Sequence, residues 1–86
     1  MPARSSKKIS ILLCDDHAMV REGTRKLLEA EPDMEVVGEA SDGLEAIEMV
    51  LKLSPRVVAM DVSMPRMNGV EATKKVKEAS PSTYVL

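Results

Sequence analysis

The sequence predicts an α/β chain: an open, doubly wound parallel sheet in the order βαβαβαβ. Three observations predict it. Short apolar runs at Ile9–Cys14 and 56–60 suit strands covered on both faces, and Met34–Ala40 and 82–86 also read as strands. Stretches of helical period lie between them. Strand starts recur about every 24 residues, which leaves room for the crossover helix that parallel strands need. Such crossovers are right-handed in nearly all cases, so few topologies remain.

Taken in order, residues 1–8 read as a solvated tail. Arg4, Lys7 and Lys8 are not followed by an apolar segment and cleavage site, so this is not a signal peptide. Ile9–Cys14 (ISILLC) is too short to stand as a helix and runs into two aspartates. In 18–31, Val20, Leu27 and Leu28 share one helical face, completed by Gly23 or Thr24, with Glu22 and Lys26 paired outside. Pro32 and Asp33 stop that helix.

Met34–Ala40 has strand composition, weakened by Gly38. Asp42 and Glu45 resemble an aspartate version of the capping box. Leu44, Ile47 and Leu51, joined by Ala46 and Val50, give the second helix its apolar face until Ser54 and Pro55 end it. The run RVVAM at 56–60 leads into Asp61, and the loop 62–68 contains Met64 and Pro65. Gly69–Ala79 reads as a weaker helix with Val70, Thr73 and Val76 inside and Lys74, Lys75, Lys77 and Glu78 outside. Ser80 and Pro81 end it, and 82–86 begins another strand.

Composition narrows the function classes. The chain has 86 residues, which holds one domain at most, and 44% are hydrophobic, which argues against disorder. A net charge of −2 gives no electrostatic footprint for nucleic acid. The single cysteine, Cys14, cannot form an internal disulfide, and no Cys/His cluster offers a zinc site. It reads as a small buried hydrophobe. Met60, Met64 and Met67 read as core and loop packing, and His17 as a helix-start residue. No apolar run approaches the ~18 residues of a membrane span, so a cytoplasmic location is expected.

The chemistry gathers at the strand ends. Asp15 and Asp16 follow the first strand and Asp61 follows the third. In an open α/β sheet, ligands bind beyond the carboxyl ends of the strands, where the strand order reverses. If the first and third strands are neighbours, three carboxylates converge there. Each would raise the others' pKa. A hard divalent cation removes the conflict, and all-oxygen ligands suit Mg²⁺ or Mn²⁺. Such an ion can take a phosphoryl oxygen. The plainer reading makes each aspartate a turn or cap residue, with Asp16 capping the helix near Ala18.

These residues resemble a known family. Asp15-Asp16-His17 with Val20-Arg21-Glu22-Gly23, then Gly38-Glu39-Ala40 with Asp42-Gly43 and Glu45-Ala46, then Asp61 with Met64-Pro65 and Gly69, are similar to the receiver domain of bacterial two-component response regulators. The DDH…REG opening resembles the NarL/FixJ type, whose receivers precede a LuxR-type helix-turn-helix DNA-binding domain. The resemblance implies a flavodoxin-like fold, with 9–86 a partial receiver domain.

It also implies roles. Asp61 would be the phosphoacceptor, attacking the phosphoryl group carried by a sensor histidine kinase. Asp16 would ligate Mg²⁺ directly, with Asp61 and the Ser63 backbone carbonyl, and Asp15 would help through a water or hydrogen bond. The Ser63 side chain would influence dephosphorylation. The chain would be a signalling domain, not an enzyme, reaching DNA only through an output domain beyond its end. Family members also place a Ser or Thr at the end of a fourth strand and a Lys at the end of a fifth, and this sequence stops at Leu86 before either. Truncation would therefore make the chain marginal as a monomer. It also supports an alternative, a non-switching module that self-associates by strand exchange or edge pairing. A haloacid-dehalogenase-like phosphatase is disfavoured, because it expects an acid where this chain has Ser63.

Overall fold

The computed structural model describes residues 8–61, Met67 and residues 69–86. Its elements are β1 (Ile9–Cys14), α1 (Ala18–Glu29), β2 (Met34–Ala40), α2 (Gly43–Leu53), β3 (Val57–Met60), α3 (Gly69–Ala79) and β4 (Tyr84–Val85). The order is the expected one. The four strands are parallel, in the spatial order β2-β1-β3-β4, so the chain reverses its direction of travel across the sheet after β2. The expected tail lies outside the described residues except for Lys8, as do Ser63, Met64 and Pro65.

Alternation along β1 divides the interior. Leu12 and Cys14 point to the face covered by α2 and α3, where they meet Ala46, Val50, Val58, Ala72 and Val76. Ile11 and Leu13 point to the opposite face, with Val36 and the half-buried Leu28 of α1. Helices on both faces make the sheet doubly wound, and they explain why the central strands β1 and β3 read as apolar runs. Among the described residues, no helix is long and apolar enough to cross a membrane.

Local signals in the sequence act as read. Asp42 accepts from the Glu45 N–H at 2.9 Å, and Glu45 reaches back to the Ser41 N–H at 2.7 Å, one residue before the cap. Ser54 ends α2 in the left-handed region at φ 47°, its N–H bonded to the Val50 carbonyl. At Gly38 the β1–β2 register shifts between Ile11 and Leu12. α1 stops at Glu29, short of 31, and the Glu31 N–H closes a turn on the Leu28 carbonyl.

The helical faces are only partly those expected: Ala46, Val50 and Val76 are buried as read, but the largest side chains are not. Val20, Leu27, Leu44, Leu51 and Val70 are exposed, Leu27 at 75%. α1 buries no residue fully, and its half-buried side is Arg21, Thr24, Arg25 and Leu28, while Gly23 is exposed. On α2 and α3 the buried positions are Gly43, Ala46 and Val50, then Gly69, Ala72 and Val76. Small residues occupy these contacts because α2 packs at close range on α3 and on β1 and β2. At Gly43 an added Cβ would strike the Met67 carbonyl oxygen and lie 2.8 Å from the Met67 Cβ. Lys77, expected on a solvated face, instead donates from Nζ to the carbonyls of Pro81 (2.9 Å) and Thr83 (2.6 Å), closing the turn after α3.

Candidate functional site

Cys14 and Met60 are paired in register on the adjacent strands β1 and β3. The next residues, Asp15 and Asp61, therefore leave the sheet side by side. Main-chain bonds continue past each strand end: the Asp61 N–H donates to the Cys14 carbonyl (2.9 Å) and the Asp15 N–H to the Ala40 carbonyl (3.0 Å). The condition set by the sequence is met, since β1 and β3 are neighbours at the reversal of strand order.

Asp15 shapes the turn into α1. Its Oδ1 accepts from the His17 N–H two residues on (2.8 Å), an Asx-type turn. His17, not Asp16, is the N-cap residue of α1, and no side chain caps the helix through a hydrogen bond. The capping role expected for Asp16 is thus not taken up, because the Asp15 carboxylate closes the turn instead. Arg21, one turn into α1, donates from Nη1 to the Asp15 carbonyl (2.6 Å) and from Nε to Glu39 Oε1 (2.8 Å). Arg25 Nη1 bonds the other Glu39 oxygen at 2.5 Å.

Asp15, Asp16, His17 and Asp61 each place one ligand-type atom within 4.8 Å of all the others. His17 Nδ1 lies 2.9 Å from Asp15 Oδ1, 3.0 Å from Asp16 Oδ1 and 4.0 Å from Asp61 Oδ2. An ionised carboxylate only accepts, so Nδ1 carries the hydrogen in this arrangement. Bonding to Asp15, then the charges of Asp16 and Asp15 with Asp61 behind them, raises the His17 pKa above the ordinary imidazole value. Burial works against the Asp15 carboxylate. The backbone and ring hydrogen bonds from His17, with the charges of His17 and Arg21, outweigh it and lower its pKa. The expected upward shift from carboxylate crowding does not hold at Asp15, because the backbone and ring nitrogens of His17 both hydrogen-bond to its carboxylate.

Sequence reading brought the three aspartates together and placed His17 at the helix start, but missed its contact with the acids. Its adjacency to Asp15 and Asp16 was the available signal. Ser63 lies outside the described residues. Beside the cluster, a cleft of about 280 Å³ is lined by Asp15, Arg21, Thr24, Asp61 and Leu86, among others. Cys14, directly behind the site, is buried, and burial first and the Glu45 charge second push its thiol up to about 12.

Residues 11–86 match the family described as response regulator receiver domain. The chain belongs to that family. The receiver is 44% identical over 82 residues to the transcriptional regulatory protein DegU of Brevibacillus brevis, covering 95% of this chain and 35% of that protein. It is 54% identical over 68 residues to the transcriptional regulatory protein LiaR of Bacillus subtilis, covering 79% of this chain and 32% of that one. The fold superposes on the signal receiver domain of the putative response regulator NarL from Mycobacterium tuberculosis with a TM-score of 0.87 and 34% identity, over 92% of this chain and 64% of that one.

These similarities make it a receiver of the NarL/FixJ type with a flavodoxin-like fold. It spans about a third of the length of those two regulators. Protein-glutamate methylesterases, such as that of Pyrococcus horikoshii, match over a similar stretch at 44% identity, so a receiver of this kind also occurs in proteins named as enzymes.

Proposed function

We propose that this receiver accepts a phosphoryl group from a sensor histidine kinase onto Asp61, in a pocket that holds Mg²⁺, and thereby controls a DNA-binding output segment of a transcriptional regulator. The observation that carries the reading is the convergence of Asp15, Asp16 and Asp61 at the carboxyl ends of two adjacent parallel strands. Membership of the receiver family favours signalling over the self-associating alternative.

The donor set fits the ion. Three carboxylates supply the hard oxygen ligands that suit Mg²⁺ or Mn²⁺. Asp16, Asp61 and the Ser63 carbonyl would hold it, with Asp15 behind. The bound ion would neutralise the carboxylates and draw phosphoryl oxygens into the pocket.

Within that pocket Asp61 acts as the nucleophile. One carboxylate oxygen forms a bond to phosphorus while the bond from phosphorus to the donor imidazole nitrogen breaks, and its electron pair stays on that nitrogen of a ring that carries a solvent-derived proton on its other nitrogen. The product is an acyl phosphate on Asp61 and a neutral donor histidine. Asp15 orients the turn through its bond to the His17 N–H, and Arg21 fixes the Asp15 carbonyl.

Incubation with acetyl phosphate and Mg²⁺, followed by intact mass measurement, tests the reading. A gain of one phosphoryl mass, lost in Asp61→Asn and abolished by EDTA, is expected. No gain, or a gain that survives Asp61→Asn, would overturn it.

A further inference from the structure

His17 is the one member of the acidic cluster that the proposed site leaves without a task. Its spacing gives it one. A six-coordinate ion with bonds of about 2.1 Å sets neighbouring donor atoms ~3.0 Å apart and opposite donors ~4.2 Å apart. His17 Nδ1 stands 2.9 Å from Asp15 Oδ1, 3.0 Å from Asp16 Oδ1 and 4.0 Å from Asp61 Oδ2. Nδ1 thus stands at neighbouring-donor spacing from Asp16 and close to opposite-donor spacing from Asp61, the two acids assigned to the ion above, while its contact with Asp15 is the hydrogen bond already described. The side chain is 63% exposed, and its main chain is fixed by the N–H bond to Asp15 and by its carbonyl, which accepts the first helical bond from the Arg21 N–H (2.9 Å).

We propose that His17 is a nitrogen ligand of this pocket, which gives the receiver a mixed nitrogen–oxygen site that favours Co²⁺, Ni²⁺ and Mn²⁺ over Mg²⁺ more strongly than carboxylates alone would. The inference rests on the metal-pocket reading above. Mg²⁺ gains little from an imidazole, whereas later first-row dications bind nitrogen well and strengthen in the order Mn²⁺, Co²⁺, Ni²⁺. On binding, the dication takes Nδ1 of the neutral ring, whose single hydrogen then sits on Nε2, and any further proton on the ring leaves to solvent.

Calorimetric titration of the tag-free chain with Mg²⁺ and with Ni²⁺ at about pH 8, above the ordinary imidazole range, tests it against His17→Ala and His17→Asn. The ratio of Ni²⁺ to Mg²⁺ affinity is expected to fall by about tenfold or more in both variants, the scale on which metal sites respond to loss of even an outer partner. Mg²⁺ affinity should change far less. A second measurement needs no variant. His17 is the only histidine in the sequence, so the Co²⁺-loaded chain should show one set of strongly shifted imidazole proton resonances. An unchanged affinity ratio with no shifted imidazole signal would overturn the ligand role while leaving the metal pocket standing. Absence of binding by either ion would overturn both.

Discussion

Arg21 Nη1 donates a 2.6 Å hydrogen bond to the main-chain carbonyl of Asp15, six residues earlier. The same guanidinium holds Glu39 on β2, so α1, β2 and the acidic turn meet on one planar side chain.

Replacing Arg21 with Gln should therefore loosen both the fold and the site. Loss of charge-assisted bonds by a side chain only 20% exposed is expected to cost about 1–2 kcal/mol after solvent screening, measured as a shift in the urea midpoint. Arg21→Lys should recover little, because a lysine cannot span both acceptors. Full stability in Arg21→Gln would count against the bracing role.

Glu39 gives the fold a pH dependence of known sign. Hydrogen bonds from Arg21, then Arg25, hold its folded pKa below the ordinary glutamate range. A depressed carboxylate contributes stability that is present above the unfolded pKa and lost as pH falls through the folded one. Glu39→Gln should thus be less stable than the natural sequence at neutral pH, with the two urea midpoints converging in acid. A gap that persists once the carboxylate is protonated in both the folded and the unfolded chain would show that the effect is not electrostatic.

Gly43 and Gly38 should respond unequally to alanine. A Cβ at Gly43 meets the backbone oxygen of Met67, whereas one at Gly38 meets the tips of Leu53 and Met49 at 2.8 Å, which can swing aside. Overpacking of this kind costs about 1–3 kcal/mol, and Gly43→Ala is expected at the upper end with Gly38→Ala well below it. Thermal melts of the two variants decide the order.

Cys14 should be inert until the chain opens. It is 1% exposed, and its thiol is pushed up to about 12, so alkylation at neutral pH depends on unfolding. Labelling by iodoacetamide, followed by mass, should be slow in buffer and complete in urea. Rapid labelling of the native chain would contradict this packing.

What the sequence made legible was the sheet. Apolar runs bounded by acids, turns and prolines mark strands covered on both faces, and Asp15 and Asp61 could be placed at one edge because parallel strands end on the same side. The helical faces were harder. Ala46, Val50 and Val76 are buried as read, but large residues such as Leu27, Leu51 and Val70 are exposed, and the remaining buried contacts fall to Ala72 and two glycines. Close approach selects small side chains, to which a hydrophobic pattern gives little weight. Contact between His17 and the acids was hidden for another reason: it depends on the Asx-type turn at Asp15, which spacing alone does not specify.

The bonds from the Asp61 N–H to Cys14 and from the Asp15 N–H to Ala40 belong to the main chain. Any residue except proline can make them. At Asp61 the frame is therefore indifferent to the side chain it carries, and exchanging that acid for another group should change the chemistry on offer without rebuilding the mount, whereas the Asp15 carboxylate also closes the turn into α1. That separation of scaffold from reagent makes this strand edge a natural place to graft new reactivity.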